Sequence, residues 1–82
     1  MLLTKISQLT IGSKLLIFNT QTEKDIRRTV KMLIPMRYFK DGIWQRKHDT
    51  EVLLDKKNNK FFSFKMYKEG QSWAQNIRII KE

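Results

Sequence analysis

The chain has 82 residues, with 17 Lys and Arg against 8 Asp and Glu, a formal net charge of +9 and no cysteine. A chain of this length has no room for a second core, so residues 1–82 are expected to form a single small domain. The missing thiols exclude a disulfide framework, a thiolate metal site and a cysteine nucleophile, while the charge favours a polyanion: nucleic acid, anionic lipid or an acidic protein surface.

Hydrophobic residues make up 40% of the chain, which is enough for a core, and three glycines with one proline argue against low complexity. A domain this small buries only about 60% of its unfolded surface, so modest stability is expected. No stretch approaches the roughly 20 apolar residues of a membrane span. The opening MLLTKISQLTIG lacks a basic n-region and a long apolar run and does not read as a signal peptide. A cytoplasmic location is the expectation.

In chain order, Ser13-Lys14 leads into the apolar run Leu15-Leu16-Ile17-Phe18, a first strand over about residues 13–19, and Asn19 to Asp25 form a polar loop. Val30, Met32, Ile34, Met36 and Tyr38 then alternate with Thr29, Lys31, Leu33, Pro35 and Arg37, which predicts a second strand with the first set facing one side. A helix over residues 22–34 competes and would make the fold α+β. Thr22-x-x-Asp25 passes for a capping box, and Ile26, Val30 and Leu33 fall at helical spacing. Such a helix would have to end before Pro35, whereas the strand runs through it to Phe39, so the strand is preferred. The proline then has to sit at an edge, or where its missing N–H is not needed.

Lys40-Asp41-Gly42 reads as a turn, with Gly42 supplying the positive φ of a three-residue hairpin loop. A third strand is expected over Ile43 to Leu54, broken near His48-Asp49. A second turn follows at Lys56-Lys57-Asn58-Asn59, then a fourth strand from Phe61 to Tyr67, a turn at Glu69 to Ser72, and a fifth strand from Ile77 to Ile80. The fold class expected is all-β: a small five-stranded barrel or sandwich, SH3-like or OB-like.

The segment Leu9-x-x-Gly12-x-x-Leu15-x-Ile17 resembles the lead-in to the first barrel strand of many SH3-like domains. That resemblance spans nine residues. The acidic, tyrosine-rich loop and the tryptophan pair of peptide-binding SH3 domains are missing, so no functional residue carries over. Lys60 to Tyr67, KFFSFKMY, resembles the RNP1 motif of RNA-recognition folds at its basic, aromatic and last positions. It departs from that motif at both small positions, Phe61 and Ser63, and at the apolar core position, Lys65, where burial of an unpaired lysine would be costly. The two helices of that fold also have no counterpart. Neither resemblance assigns the chain to a family.

Residues 56–68, KKNNKFFSFKMYK, hold five lysines, four aromatics and no acid. Strand parity sends Phe62, Phe64 and Met66 to the core and leaves Phe61, Lys65 and Tyr67 facing solvent. Phe61 and Tyr67 would then be a stacking platform, at about 1–3 kcal/mol per base, with Lys65 on phosphate. Alternatively the two rings cover a barrel end or pair across strands. On the second strand, Arg27, Lys31 and Arg37 space cations over about 30 Å of extended chain, either as phosphate contacts or as a solvated face that guards a strand edge. Trp44, beside Arg46 and Lys47, is the better tryptophan for binding if it is not in the core; Trp73 is expected to cap the core.

The expected function is a nucleic-acid-binding module (DNA or RNA) of weak sequence preference. Its contact residues would be Arg27, Arg28, Lys31, Arg37, Trp44, Lys47, Lys57, Lys60, Phe61, Lys65 and Tyr67, with phosphates supplying most of the affinity. The alternative is a small inhibitor or adaptor docking on an acidic protein surface through Met36, Tyr38, Trp44 and Phe61. The lysine, asparagine and isoleucine usage would suit a phage or mobile-element product. Attachment to anionic membrane surfaces would need a basic amphipathic helix over residues 22–34. His48 with Asp49 and Glu51 lacks a nucleophile or a phosphate loop, and Asp41, Asp49, Glu51 and Asp55 lack metal-loop spacing. No enzyme activity, cofactor or metal is therefore expected. Homodimerisation by strand pairing stays open.

Overall fold

The computed structural model describes residues 1–58 and 60–80, without the side chains of Tyr38, Arg46, Lys47 and His48. Five strands follow in order: β1 (Lys14–Asn19), β2 (Lys24–Lys40), β3 (Ile43–Leu54), β4 (Phe61–Ser63) and β5 (Ala74–Ile80). A 3-10 turn at Ile6–Gln8 precedes β1, and a single short helix, α1 (Phe64–Lys68), separates β4 from β5. The strands are antiparallel in the order β4-β3-β2-β1-β5, so the sheet is not a closed barrel and ends on β4 and β5. The competing helix at residues 22–34 does not form, because Lys24 onward is strand.

β2 is shared between two partners. Its first part pairs with β1, from Asn19↔Lys24 to Lys14↔Thr29, and its second part pairs with β3. The handover falls on Val30. Its N–H donates to the Ser13 carbonyl at 2.9 Å, its carbonyl accepts from Gly12 N at 2.8 Å, and it is registered opposite Leu54. The next pair is Met32↔Leu53, which leaves Lys31 as an extra residue, a β-bulge.

The bulge exchanges the faces of the strand. Beyond it, Leu33 is registered with Val52, which is registered with Phe62; Val52 and Phe62 are buried and Leu33 packs on the core. Met32, Leu53 and Phe61 form the adjacent row on the opposite side, with Met32 50% and Phe61 44% exposed. Ile34 is also on the exposed side. The uninterrupted alternation of Val30, Met32 and Ile34 read from the sequence is therefore wrong after Val30.

A second bulge shapes β5. Between Leu16↔Arg78 and Phe18↔Gln75 the last strand has one residue more than β1, and Asn76 takes up the difference at φ 48°. Asparagine tolerates this left-handed conformation better than most residues. Ala74 and Ile77, three apart, are both fully buried as a result. The bulge also hides the first half of the strand from a search for alternation, which began it at Ile77. The outer side of β5 is covered by the N-terminal segment: Leu3 N donates to Ile77 O at 2.7 Å, and Ile79 N donates to Met1 O at 2.8 Å.

The fourth strand is shorter than expected. After Ser63 the chain turns into α1, whose N-terminus is capped from two directions. Ser63 Oγ accepts from Met66 N at 3.2 Å and donates to Asp49 Oδ2 at 2.7 Å, while Asp49 Oδ1 accepts from Lys65 N at 2.9 Å. A helix of five residues cannot persist alone, so it is β3, through Asp49, that fixes it. Helical spacing then replaces parity: Tyr67 is buried, Phe64 packs on the core, and Met66 is exposed.

Past Pro35, β2 has a strand on one side only, since β1 has ended, so the absent N–H is tolerated. Pro35↔Thr50 and Arg37↔Arg46 flank an irregularity at residues 47–49, close to where a break in the third strand was expected. From there to the tip, the β2–β3 hairpin is a two-stranded ribbon. It closes with Lys40↔Ile43 across Asp41 (φ 54°) and Gly42 (φ 75°), a two-residue loop rather than three. Two successive positive φ values match the twist of such a hairpin, which is why Asp-Gly suits it.

Leu33→Ala should lower the unfolding free energy in urea by about 2 kcal/mol, and Met32→Ala by less than about 1 kcal/mol. The reverse ranking would place the faces of β2 as unbroken alternation does. Burial pushes the Asp49 carboxyl up, but the Lys65 amide, the Ser63 hydroxyl and the Thr50 amide, with the Lys65 charge, outweigh it and hold the group below its ordinary value. A depressed folded-state pKa contributes stability above the unfolded value, about 3.9, that is lost as pH falls through the folded one. Asp49→Ala should therefore cost about 1 kcal/mol at neutral pH. The gap from wild type should narrow in unfolding curves as pH falls through the depressed folded-state value, and a gap constant with pH would contradict the capping role.

Candidate nucleic-acid interface

Three depressions share lining residues. The first, of about 200 Å³, is lined by Lys14, Leu15, Arg27, Arg28, Thr29, Asp55 and Ile80. The second, of about 310 Å³, is lined by Lys31, Leu53, Leu54, Asp55, Lys56, Lys57 and Lys60. The third and most open, of about 570 Å³, is lined by Gln21, Lys57, Asn58, Lys60, Phe61 and Trp73. Asp55 belongs to the first two, and Lys57 and Lys60 to the last two, so the depressions form a continuous strip.

Local structure brings these residues together. The β1–β2 register sets Lys14 opposite Thr29, and Lys14 Nζ donates to Thr29 Oγ1 at 3.2 Å. Thr29 N in turn donates to Asp55 Oδ1 at 3.1 Å, fastening the end of β3 to the handover point of β2. The turn between β3 and β4 is closed by Leu54 N donating to Lys60 O, which gathers Lys56, Lys57 and Lys60 around the end of β3. Lys31 enters from the bulge. At the far end, Trp73 Nε1 donates to Phe61 O at 3.0 Å and holds the β4 backbone beside the half-exposed Phe61 ring.

The strip is strongly cationic. Among the described residues Lys14, Arg27, Arg28, Lys31, Lys56, Lys57 and Lys60 line it against the single carboxylate of Asp55. Among the described residues none of these cations forms a salt bridge; the pair that does form, Arg78–Asp25 at 3.7 Å, involves none of them. The Thr29 amide is the main influence holding Asp55 below the ordinary carboxylate range; burial opposes it, and the Asp55 amide with the Lys56 and Arg28 charges adds to the lowering. Asp55 thus stays ionised and structural. Arg28 Nη1 donates to the Arg27 carbonyl at 2.7 Å, while its buried Nε has no partner among the described residues. Lysines and arginines this close, with little countercharge, concentrate positive potential over the groove.

Six of the expected contact residues therefore meet in one place: Arg27, Arg28, Lys31, Lys57, Lys60 and Phe61. Arg37 and Trp44 lie instead on the β2–β3 ribbon, both exposed, with Trp44 at its tip. Lys47 is in the same ribbon, and its side chain lies outside the described residues. Lys65 is exposed on α1, apart from the strip. Tyr67 is a correction. It is 8% exposed, its hydroxyl donates to the Leu3 carbonyl at 2.6 Å, and its ring meets Phe62 and Phe64. It is a core residue and offers no stacking surface.

Sequence reasoning missed Lys14, Lys56 and Trp73 as parts of the site, although Lys56 belongs to the lysine-rich turn visible in the sequence. Lys14 joins through the β1–β2 register, and Trp73 through a bond to the β4 backbone. Neither of these two has a local sequence signal. Among the described residues no cluster of three or more His, Cys, Asp or Glu could hold a metal ion, and no helix is long and apolar enough to cross a membrane. No protein-family model matches the chain, and comparison with curated proteins and with solved structures finds no match.

Tyr67→Phe removes one buried hydrogen bond and should lower the unfolding free energy by about 1 kcal/mol. An unchanged denaturation midpoint would contradict the structural role given to its hydroxyl.

Proposed function

We propose that this protein is a nucleic-acid-binding module of weak sequence preference, which holds a phosphodiester backbone along the strip from Lys14 to Lys60 and stacks an unpaired base on Phe61. The observation that carries this reading is the continuity of the groove: seven cations without salt bridges among the described residues, ending at a half-exposed ring. Phosphate neutralisation would supply most of the affinity and little specificity. A ring in an open depression suits a base outside a duplex.

The strand order agrees with an SH3-like open barrel. β1 to β4 run as a meander and β5 returns to β1, unlike the Greek-key path of an OB fold. Fold alone assigns no function, and the reading rests on the strip.

A second reading, docking on an acidic protein surface, is favoured by one observation: the apolar row Met32, Leu53 and Phe61 lies beside the lysine turn. The two readings differ in salt response and in the part played by Phe61. Binding to a single-stranded oligonucleotide should weaken steeply with salt, with a log–log slope of about −0.7 per phosphate neutralised. Lys57→Glu/Lys60→Glu should weaken binding by at least about tenfold and flatten the slope. Phe61→Ala should lower affinity by about 5-fold to 150-fold with the slope unchanged. Absence of binding at low salt, or an affinity indifferent to salt, would refute the nucleic-acid reading.

A further inference from the structure

The β2–β3 ribbon is unaccounted for by the strip. From Arg37 to Lys40 and from Ile43 to Arg46 the two strands are paired only with each other. The molecule measures 43 × 26 × 24 Å, and eight residues of extended chain separate Lys31 in the strip from Phe39 near the tip, roughly 27 Å. The tip is apolar and open to solvent. Phe39 is 60% and Trp44 67% exposed, registered opposite each other in an edge-to-face contact at 5.3 Å, with the exposed Ile43 beside them.

The ribbon is also basic. Residues 36–47 carry Arg37, Lys40, Arg46 and Lys47 against the lone Asp41. Arg37 and Lys40 are both exposed on the β2 arm of the ribbon, and like charges held close together repel. An isolated hairpin is marginal in water, and a cationic one with its aromatics outside gains little from the fold itself. A polyanion would offset the repulsion. The two-stranded form narrows the choice: such a ribbon is of the size that the roughly 12 Å major groove of a duplex admits, and exposed rings at the tip of such an element can wedge against base steps.

We propose that the ribbon is a second nucleic-acid contact that enters the groove of a duplex, so that the ligand is a nucleic acid in which duplex adjoins an unpaired segment. This rests on the reading of the strip given above: the strip takes the unpaired strand and the ribbon takes the duplex. Linking two contacts in one ligand raises affinity through effective concentration, which gives the inference a signature of its own.

The experiment measures affinity at low and moderate salt for a single strand, a blunt duplex, and that duplex carrying a single-stranded overhang. The overhang substrate should bind at least about tenfold more tightly than either of the others. Phe39→Ala/Trp44→Ala should bring it down to the level of the single strand while leaving single-strand affinity unchanged. Circular dichroism and the denaturation midpoint check that the variant is folded, as expected for side chains this exposed. Salt-sensitive single-strand binding without an overhang preference would overturn the inference and leave the strip reading standing. No binding to any of the three would overturn both. A wild-type dimer in sedimentation that the double variant converts to monomer would assign the ribbon to self-association and overturn the inference.

Discussion

The fold depends on the point where β2 changes partners. Val30 is bonded to the Ser13 and Gly12 backbone on one side and registered with Leu54 on the other, and Lys31 is the residue that the ladder leaves over. A strand bonded on one side and held in register on the other at one residue cannot slip without losing ladder bonds in both directions, and unpaired backbone groups in a sheet are costly. The bulge then decides which side chains are core. It turns Leu33 inward toward Val52 and Phe62, and puts Met32 beside Leu53 and Phe61 on the open face.

The same point organises the cationic strip. Thr29, one residue before the handover, binds Asp55 at the end of β3 and receives a hydrogen bond from Lys14 of β1. Three strands are thereby tied at one place: β1 brings Lys14, β2 brings Arg27, Arg28 and Lys31, and the turn after β3 brings Lys56, Lys57 and Lys60. Among the described residues Asp55 is the only carboxylate lining the strip, and its hydrogen bonding makes it part of the frame rather than a counter-ion spread over the groove. The positive field is a consequence of how the sheet is stitched.

Much of the framework was legible in the sequence. Ile43–Leu54 is a strand as expected, β1 differs by a residue, and the strand through Pro35 prevails over the competing helix because its alternation extends past the proline. The errors share one cause. The bulges at Lys31 and Asn76 and the start of α1 at Phe64 are set by partners distant in sequence, and each breaks a period that the local pattern continues. Asp49 lies 16 positions from the Lys65 amide that it binds, so nothing near Phe64 announces a helix. Tyr67 fell to that error: strand parity put it outside, while one helical turn puts it in the core. In the site, the lysines of the β3–β4 turn and Phe61 were readable as a cluster because they are neighbours in the chain. Their continuity with Arg27, Arg28 and Lys14 was not, because it exists only through register.

The most direct test of the account is to follow backbone amide resonances while a single-stranded oligonucleotide is titrated into the protein at low salt. Shifts should concentrate at Lys14, at Arg27–Lys31 and at Leu53–Phe61, and should fade as salt is added. Shifts confined to α1 and the outer side of β5, or none anywhere, would contradict the assignment of the strip as the nucleic-acid interface.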